Sequence, residues 1–295
     1  MAAVLQTGRD SGTNLMAFST SLPSEVRAPN KQEISAGTVW LGRLGLAARG
    51  AVYLMVGYLA VQAAVGSASR RATDQGGAVE AISELPWGDL LLWIVVAGLV
   101  GYVVWRLGQA IFDLDHYGRD RKGAMKRVAA FVSACTYGAL AFAAAKFALG
   151  GAMRSGERST EDKTQWLMEQ PFGRWLVGAV GLIIIIVALY QFKQAFSCGF
   201  ARRLRGHELT AEQEKWSVRA GRFGHAARGV AFGLISWFFL QAALHSDASE
   251  AGGLSAALNA LSRHAHGPWL LGIVGVGLGL FGVYSLVESR YRRIG

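Results

Sequence analysis

Six long apolar blocks, separated by polar and charged stretches, constrain the fold of this chain more than any other feature. Each block is roughly 19 to 23 residues long, and a helix needs about 20 residues to cross a hydrocarbon core of about 30 Å. The run LIIIIVAL at 182–189 has no polar face at a helical period, unlike a helix of a soluble protein. The sequence therefore predicts an all-α integral membrane protein with six transmembrane helices at about Leu44–Val65, Leu90–Phe112, Val128–Leu149, Leu176–Phe196, Ala226–Leu244 and Trp269–Val287.

The positions of the basic residues predict how the chain is oriented. The formal net charge is +10 at pH 7, which on its own would suggest nucleic-acid binding. However, 22 of the Lys and Arg residues flank one side of the predicted membrane and only 7 flank the other. The positive-inside rule then places both termini in the cytoplasm. We expect the partners to be the lipid bilayer and anionic lipids on the cytoplasmic face, with no nucleic acid.

The chain repeats itself. GRLGLAARGAVYLMVGYL at 42–59 and GRFGHAARGVAFGLISWF at 221–238 correspond at an offset of 179, and KRVAAFVSACTYGAL at 126–140 is a weaker middle copy. Each second helix follows a proline that we expect in its first turn, namely Pro86, Pro171 and Pro268. The sequence predicts a disordered cytoplasmic tail at 1–37 and three repeats of two transmembrane helices at 38–117, 118–205 and 206–295.

This repeat layout, over about residues 40 to 293, resembles a bacterial family catalogued as domain of unknown function 1206. The resemblance implies a six-helix inner-membrane protein, and it brings no established activity or catalytic residue. Because each unit has an even number of spans, all three copies enter the membrane in the same orientation. We therefore expect three parallel two-helix repeats in a pseudo-threefold arrangement.

Aligning the repeats superimposes Gln62, Lys146 and Gln241 near the outer ends of the first, third and fifth helices. Unpartnered polar groups inside a membrane cost several kcal/mol, so this recurrence suggests a ring that faces inward. The alternative is that Lys146 extends to the outer interface while the two glutamines join helices by hydrogen bonds.

A second polar layer is predicted near the cytoplasmic ends, and it consists of Arg49, Ser133, Arg228, Gln109, Gln194 and Glu288. One interpretation is a set of structural clamps inside each repeat. The expected pairs are Arg49 with Gln109, Ser133 with Gln194, and Arg228 with Glu288. The functional alternative is a substrate or proton site in which Glu288 titrates and the arginines contact an anion.

The sequence contains no pattern of reactive residues. Cys135 and Cys198 cannot build a disulfide framework. The only grouping typical of a metal site is His264 and His266 with His245 and Asp247, and histidines at i and i+2 do not share a helix face. We therefore expect no catalytic residue, no cofactor and no metal.

These observations favour a non-enzymatic membrane protein of unknown activity, either a scaffold or a regulatory component with an unknown protein partner. The alternative is a small-solute or ion transporter or channel through the pseudo-threefold centre, lined by Lys146, Glu288 and the glutamines. In addition, the segment 206–216 is predicted to form a short cytoplasmic amphipathic helix with Thr210 as its N-cap. Glycines are expected at close helix contacts, namely Gly98, Gly101, Gly229, Gly233, Gly275, Gly279 and Gly282.

Overall fold

The computed structural model describes residues 36–66, 73–115, 118, 120–152, 156–203, 210–263 and 265–291. In chain order its α-helices are α1 (Ala36–Ala64), α2 (Gln75–Ser83), α3 (Gly88–Phe112), α4 (Arg121–Ala148), α5 (Gly156–Met168), α6 (Gly173–Ser197), α7 (Ala211–His245), α8 (Leu254–Ser262) and α9 (Gly267–Tyr291). Six of them, α1, α3, α4, α6, α7 and α9, are long and apolar enough to cross a membrane. All six predicted spans are thereby confirmed. The predicted tail lies outside the described residues, except for the last two positions of 1–37, which belong to α1.

Each repeat contains a short helix that the sequence did not predict. The helices α2, α5 and α8 each lie between the two long helices of one repeat, so the unit is long, short, long. A helix of 9 residues, the length of α2 and α8, is too short to span a membrane or to give a convincing periodic pattern. We call the end of the bundle that carries these three helices the hairpin end, and the end where α1 begins and α9 ends the basic end.

The turn between each short helix and the following long helix requires glycine. A Cβ atom on the first residue of that long helix would lie only 1.9 to 2.2 Å from a carbonyl oxygen of the short helix, at Gly88, Gly173 and Gly267. The preceding residues Trp87 and Phe172 have left-handed backbone angles, with φ of 63° and 62°. The expectation that proline occupies the first helical turn is correct only for Pro268. Pro86 and Pro171 lie in the turn, two residues before the helix begins.

The long helices pack in the order α4, α3, α1, α9, α7, α6. Each contacts the next extensively, whereas α4 and α6, the two long helices of the middle repeat, do not form an extensive contact with each other. A closed pseudo-threefold ring is therefore not confirmed, because the succession of helices is open at the middle repeat. The share of buried residues in the most apolar stretch of each span is highest in the central helices, at 61% for α1 and 50% for α9, and it is 44% for α3, 28% for α4 and α7, and 22% for α6.

Glycines bring α1 and α9 into close contact at the centre. A Cβ atom on Gly57 would lie 2.6 Å from the backbone nitrogen of Gly279, and one on Gly282 would lie 2.7 Å from that of Leu54. Small residues at a helix interface allow the two backbones to approach, which is a common way of packing helices in membranes. The predicted close contacts are confirmed at five glycines, where a Cβ atom would lie 2.6 to 3.2 Å from an atom of another helix, namely Gly98, Gly101, Gly229, Gly275 and Gly282. A Cβ atom on Gly233 or Gly279 would have no such atom within 4 Å.

The short helix α2 begins deep inside the bundle. Thr73 and Asp74 are buried just before it. The side-chain amide of Gln75 lies 3.5 Å from the hydroxyl of Tyr53, which is 11 residues, or about 16 Å, before the end of α1 at Ala64. Asp74 is the N-cap of α2 and accepts a hydrogen bond from the backbone of Gly77. The hairpin half of the centre is therefore occupied partly by α2.

The start of α7 differs from the sequence prediction. Residues 204–209 lie outside the described residues, and from Ala211 the chain runs as one continuous helix of 35 residues into the membrane. The prediction of a separate amphipathic helix at 206–216 is therefore wrong for residues 211–216. The predicted N-cap is confirmed, because the Thr210 hydroxyl accepts from the Gln213 backbone and the Gln213 side chain accepts from the Thr210 backbone.

Candidate functional site

A buried ion pair between α1 and α9 forms the core of the polar layer near the basic end. One Nη atom of Arg49 donates to a carboxylate oxygen of Glu288 at 2.9 Å and to the hydroxyl of Ser285 at 3.1 Å. Its other Nη atom donates to the hydroxyl of Tyr102 at 3.1 Å. Both charged residues are almost completely excluded from the surface, with 6% exposure for Arg49 and 2% for Glu288. The pair joins the first repeat to the third.

Two predicted pairs are therefore wrong, since Glu288 pairs with Arg49 and not with Arg228, and Arg49 does not bond to Gln109. The fully buried Gln109 instead accepts a hydrogen bond from Arg106 at 3.0 Å and donates to Asp115 at 2.7 Å. These contacts secure the end of α3 to the chain that follows it.

The third predicted pair, Ser133 with Gln194, is also wrong. Ser133 on α4 is half-buried and has no hydrogen bond with Gln194 in the described structure. Gln194 donates to the hydroxyl of Tyr190, one turn earlier on its own helix, at 3.1 Å. The physical reason is that α4 packs on α3 and α6 packs on α7, so the two long helices of the middle repeat do not present their polar residues to each other.

Arg228 has a different environment from Arg49, although the two occupy equivalent positions in the repeat. The Gln191 amide satisfies both of its neighbours when its nitrogen donates to His225 at 2.8 Å and its oxygen accepts from Arg228 at 3.2 to 3.3 Å. The Arg228 guanidinium lies 4.3 Å from the ring centre of Phe281 and 5.2 Å from that of Tyr53. Within the described part of the chain, no carboxylate forms an ion pair with Arg228.

Arg49, Arg228, Tyr53, Tyr102 and Phe281 together form what we call the central cluster. Both guanidinium groups lie over the Phe281 ring, with Arg49 at 5.2 Å and Arg228 at 4.3 Å from its centre. Cation–π contacts of this kind are strongest where water is excluded. The cluster carries two cationic groups, and Glu288 is the one carboxylate bonded to either of them within the described residues. The chemistry that this arrangement favours is the binding of an anion.

A repeated arginine clamp was missed by the sequence analysis. Arg127 donates to the backbone oxygens of Ala110 at 2.8 Å and Ile111 at 3.0 Å, at the end of α3, and Arg222 donates to the oxygen of Ala195 at 3.1 Å, at the end of α6. The last carbonyls of a helix lack partners in their own helix and carry partial negative charge, so arginine stabilises them. The signal was the arginine that recurs near the start of each repeat, as Arg43, Arg127 and Arg222. The sequence analysis used these segments to align the copies and counted the arginines as charge, and it gave them no bonding role.

The predicted outer ring is not brought together. Gln62 donates to the hydroxyl of Tyr58 on its own helix, Lys146 is exposed two residues before the end of α4, and Gln241 is half-buried. No hydrogen bond joins any two of these three side chains in the described structure. The position of Lys146 fits a side chain that extends to the membrane interface.

The histidine grouping lies at the hairpin end. The Nδ1 atom of His245 lies 2.7 and 2.9 Å from the carboxylate oxygens of Glu250. Hydrogen bonds from the side chain and backbone of Ser249 lower the pKa of Asp247. His264 lies outside the described residues. The carboxylates of Asp247 and Glu250 are thus both engaged with neighbours in the same loop.

The comparisons with known proteins agree with the repeat. The family described as Domain of Unknown Function (DUF1206) matches the chain three times, at 44–113, 128–197 and 223–292. The first and third matches start 179 residues apart, which is the offset found in the sequence itself. The chain is 33% identical over 266 residues to an uncharacterized protein, YxxB, of Bacillus subtilis (strain 168), covering 90% of this chain and 94% of that protein. No solved structure matches it. The chain therefore belongs to the DUF1206 family.

Proposed function

We propose that this chain is a non-enzymatic membrane protein that scaffolds or regulates a protein partner. We place it in the bacterial inner (plasma) membrane with its basic end in the cytoplasm, as the distribution of Lys and Arg favours. The observation that carries the proposal is the uneven burial of the bundle. The two long helices of the middle repeat lie at the two ends of the helix order, and only 28% and 22% of the residues in their most apolar stretches are buried. Meanwhile the buried charges of Arg49 and Glu288 are engaged with each other.

The uncovered face of α4 supports a helical partner in particular. Its exposed stripe has small residues at its middle and larger apolar residues on either side, in the order Val132, Cys135, Thr136, Ala139 and Phe142. Small residues allow a second helix to approach closely, and they are enriched where membrane helices associate. A partner helix packed here would bury the stripe and leave the central cluster unchanged.

Site-specific photocrosslinking in cells tests this proposal. A photoreactive phenylalanine analogue replaces Phe142 on α4, which is 74% exposed, and in a control it replaces Ile273 on α9, which is 67% exposed. We expect a discrete protein adduct at position 142 and none at 273, and we expect the abundance of the adducted protein to fall when this chain is deleted. If both positions gave only lipid adducts, the scaffold proposal would be wrong.

The second candidate function is a small-solute or ion transporter or channel through the centre, and the partly exposed Arg228 facing that centre favours it. Ala78 and Val79 of α2 weigh against it, because both are completely buried in the hairpin half.

Cysteine accessibility separates these two functions. Single cysteines are placed in a background without Cys135 and Cys198, at positions 62, 146, 241, 109, 194 and 288, and labelled with a membrane-impermeant thiol reagent. A transport path requires labelling at 109 and 288, which are 0% and 2% exposed. The scaffold proposal requires protection at both of these positions and labelling at 146.

A further inference from the structure

The strongest unassigned feature of the molecule is the charge of Arg228. In the first repeat the equivalent Arg49 is matched by Glu288 at 2.9 Å. Arg228 has instead the amide oxygen of Gln191 and the faces of three rings, those of Phe281, Tyr53 and Phe232. A cation that is largely removed from water and lacks a counter-ion is costly, so this environment favours an added anion.

A second observation concerns the neighbouring guanidinium. The Nε atom of Arg49 is buried and has no hydrogen-bond partner within the described structure. Buried polar groups in proteins are nearly always bonded, so an unpaired donor in a 6% exposed residue needs an explanation. The central cluster thus combines one cation without a carboxylate and one buried donor without an acceptor.

The arrangement of the helices provides lateral access to this cluster. Arg228 lies on α7 against Gln191 of α6, and its guanidinium lies over the rings of Tyr53 on α1 and Phe281 on α9. It is therefore on the side of α7 that faces α1, α6 and α9, and the succession of these helices is open between α4 and α6, which do not form an extensive contact. Arg228 is also only partly buried, as access through that opening requires.

The depth of Arg228 fits a lipid headgroup. Its partner Gln191 is six residues, or about 9 Å, before the end of α6 at Ser197. That depth lies near the boundary between the headgroups and the hydrocarbon, on the side of the bundle with most of the basic residues. Basic pockets between transmembrane helices on the cytoplasmic side are known to bind acidic headgroups.

We propose that Arg228 binds the phosphate of an acidic phospholipid that enters between α4 and α6. The planar guanidinium donates to the phosphate oxygens, and the apolar flanks of the opening contact the acyl chains. The site does not depend on the scaffold proposal, because the lipid occupies the inner side of the opening and leaves the outward stripe of α4 uncovered.

The test measures which lipids remain bound to the purified full-length protein. The protein is reconstituted in nanodiscs of equimolar phosphatidylcholine and phosphatidylglycerol, extracted in mild detergent, and its retained lipids are counted by native mass spectrometry. We expect about fivefold enrichment of phosphatidylglycerol, as expected for one arginine contact. Arg228→Gln should reduce this enrichment to about the bulk ratio. The matched control is Arg219→Gln, which removes an exposed arginine from the same helix, where it stacks on Trp216, and should keep the enrichment.

Three results would overturn the proposal. One is equal retention of both lipids by the wild-type protein, a measurement that remains decisive even if Arg228→Gln does not fold. Another is the same loss of enrichment in Arg219→Gln as in Arg228→Gln, which would indicate general attraction to the membrane surface. The last is a thermal shift of the wild-type protein with inorganic phosphate that equals the shift with phosphatidylglycerol and is absent in Arg228→Gln. That result would assign the site to a soluble anion.

Discussion

The change Glu288→Gln tests how strongly the bundle depends on one buried carboxylate. The side chains of Arg49 and Glu288 are 7% and 3% exposed, and their charged atoms are 2.9 Å apart. Removing one partner of such a pair leaves an uncompensated buried charge, which costs about 3 to 5 kcal/mol. The glutamine that replaces Glu288 can still accept a hydrogen bond, and Arg49 keeps its bonds to Tyr102 and Ser285. We therefore expect the lower end of that range, about 3 kcal/mol.

For a protein of this size, each kcal/mol corresponds to roughly 2 to 4 °C in the midpoint of thermal unfolding. The expected decrease is then about 6 to 12 °C at pH 7, measured by tryptophan fluorescence on the reconstituted protein. The control is Glu250→Gln, which removes a carboxylate from the pair with His245, whose side chains are 36% and 56% exposed. Exposed pairs contribute about 0 to 1 kcal/mol, so this variant should melt close to the wild-type protein.

A double variant separates the lost attraction from the cost of burying the charges. Replacing both Arg49 and Glu288 by leucine removes both charges together, and such replacements are often neutral or stabilising. We expect the double variant to melt at a higher temperature than Glu288→Gln. If the decrease for Glu288→Gln were no larger than that for Glu250→Gln, the reasoning about the buried pair would be refuted.

Three further tests concern the fold. Gly88→Ala should lower the thermal midpoint strongly, because its Cβ atom would lie 1.9 Å from the Ser83 carbonyl oxygen. The control is Gly233→Ala, whose Cβ atom meets open space and which should be neutral or stabilise the protein by up to about 1 kcal/mol. Thr210→Ala should lower the free energy of unfolding by about 1 kcal/mol and speed amide hydrogen exchange in the first turn of α7 only. Unchanged exchange in that turn would contradict the capping role of the reciprocal bonds between Thr210 and Gln213. Arg127→Gln should speed exchange at the end of α3, where it bonds the Ala110 and Ile111 oxygens, and exchange at the end of α6 should stay as in the wild-type protein.

The three polar pairs show where sequence reasoning was correct and where it failed. The sequence placed Arg49, Gln109 and Glu288 at a similar depth, since consecutive long helices run in opposite directions, and the structure has Arg49 beside Glu288. It assigned the wrong partners because it assumed that polar groups pair inside a repeat. In the structure Arg49 and Arg228 each bond to the second long helix of another repeat, on α9 and α6 respectively.

Some features were present in the sequence and were not recognised. The glycine that begins each second long helix recurs in all three repeats. The sequence analysis considered only the nearby prolines and predicted that they lie in the first turn of these helices. His225 and Gln191 are both buried and contact each other, but each has other polar residues within three positions of it in the sequence. Nothing local distinguishes such a residue from one that faces lipid, so their role depends on which helix packs opposite.

The sequence by itself determined the number of long helices, their approximate bounds and the three-copy repeat. These follow from the length of each apolar block and from the similarity of the copies, which are local properties of the chain. The tertiary structure alone decided the order of the helices and the opening at the middle repeat. It also decided that Arg49 meets a carboxylate while the equivalent Arg228 does not. Arg49 and Arg228 lie in nearly the same local sequence, AARG, and their environments differ because α1 packs against α9 and α7 packs against α6.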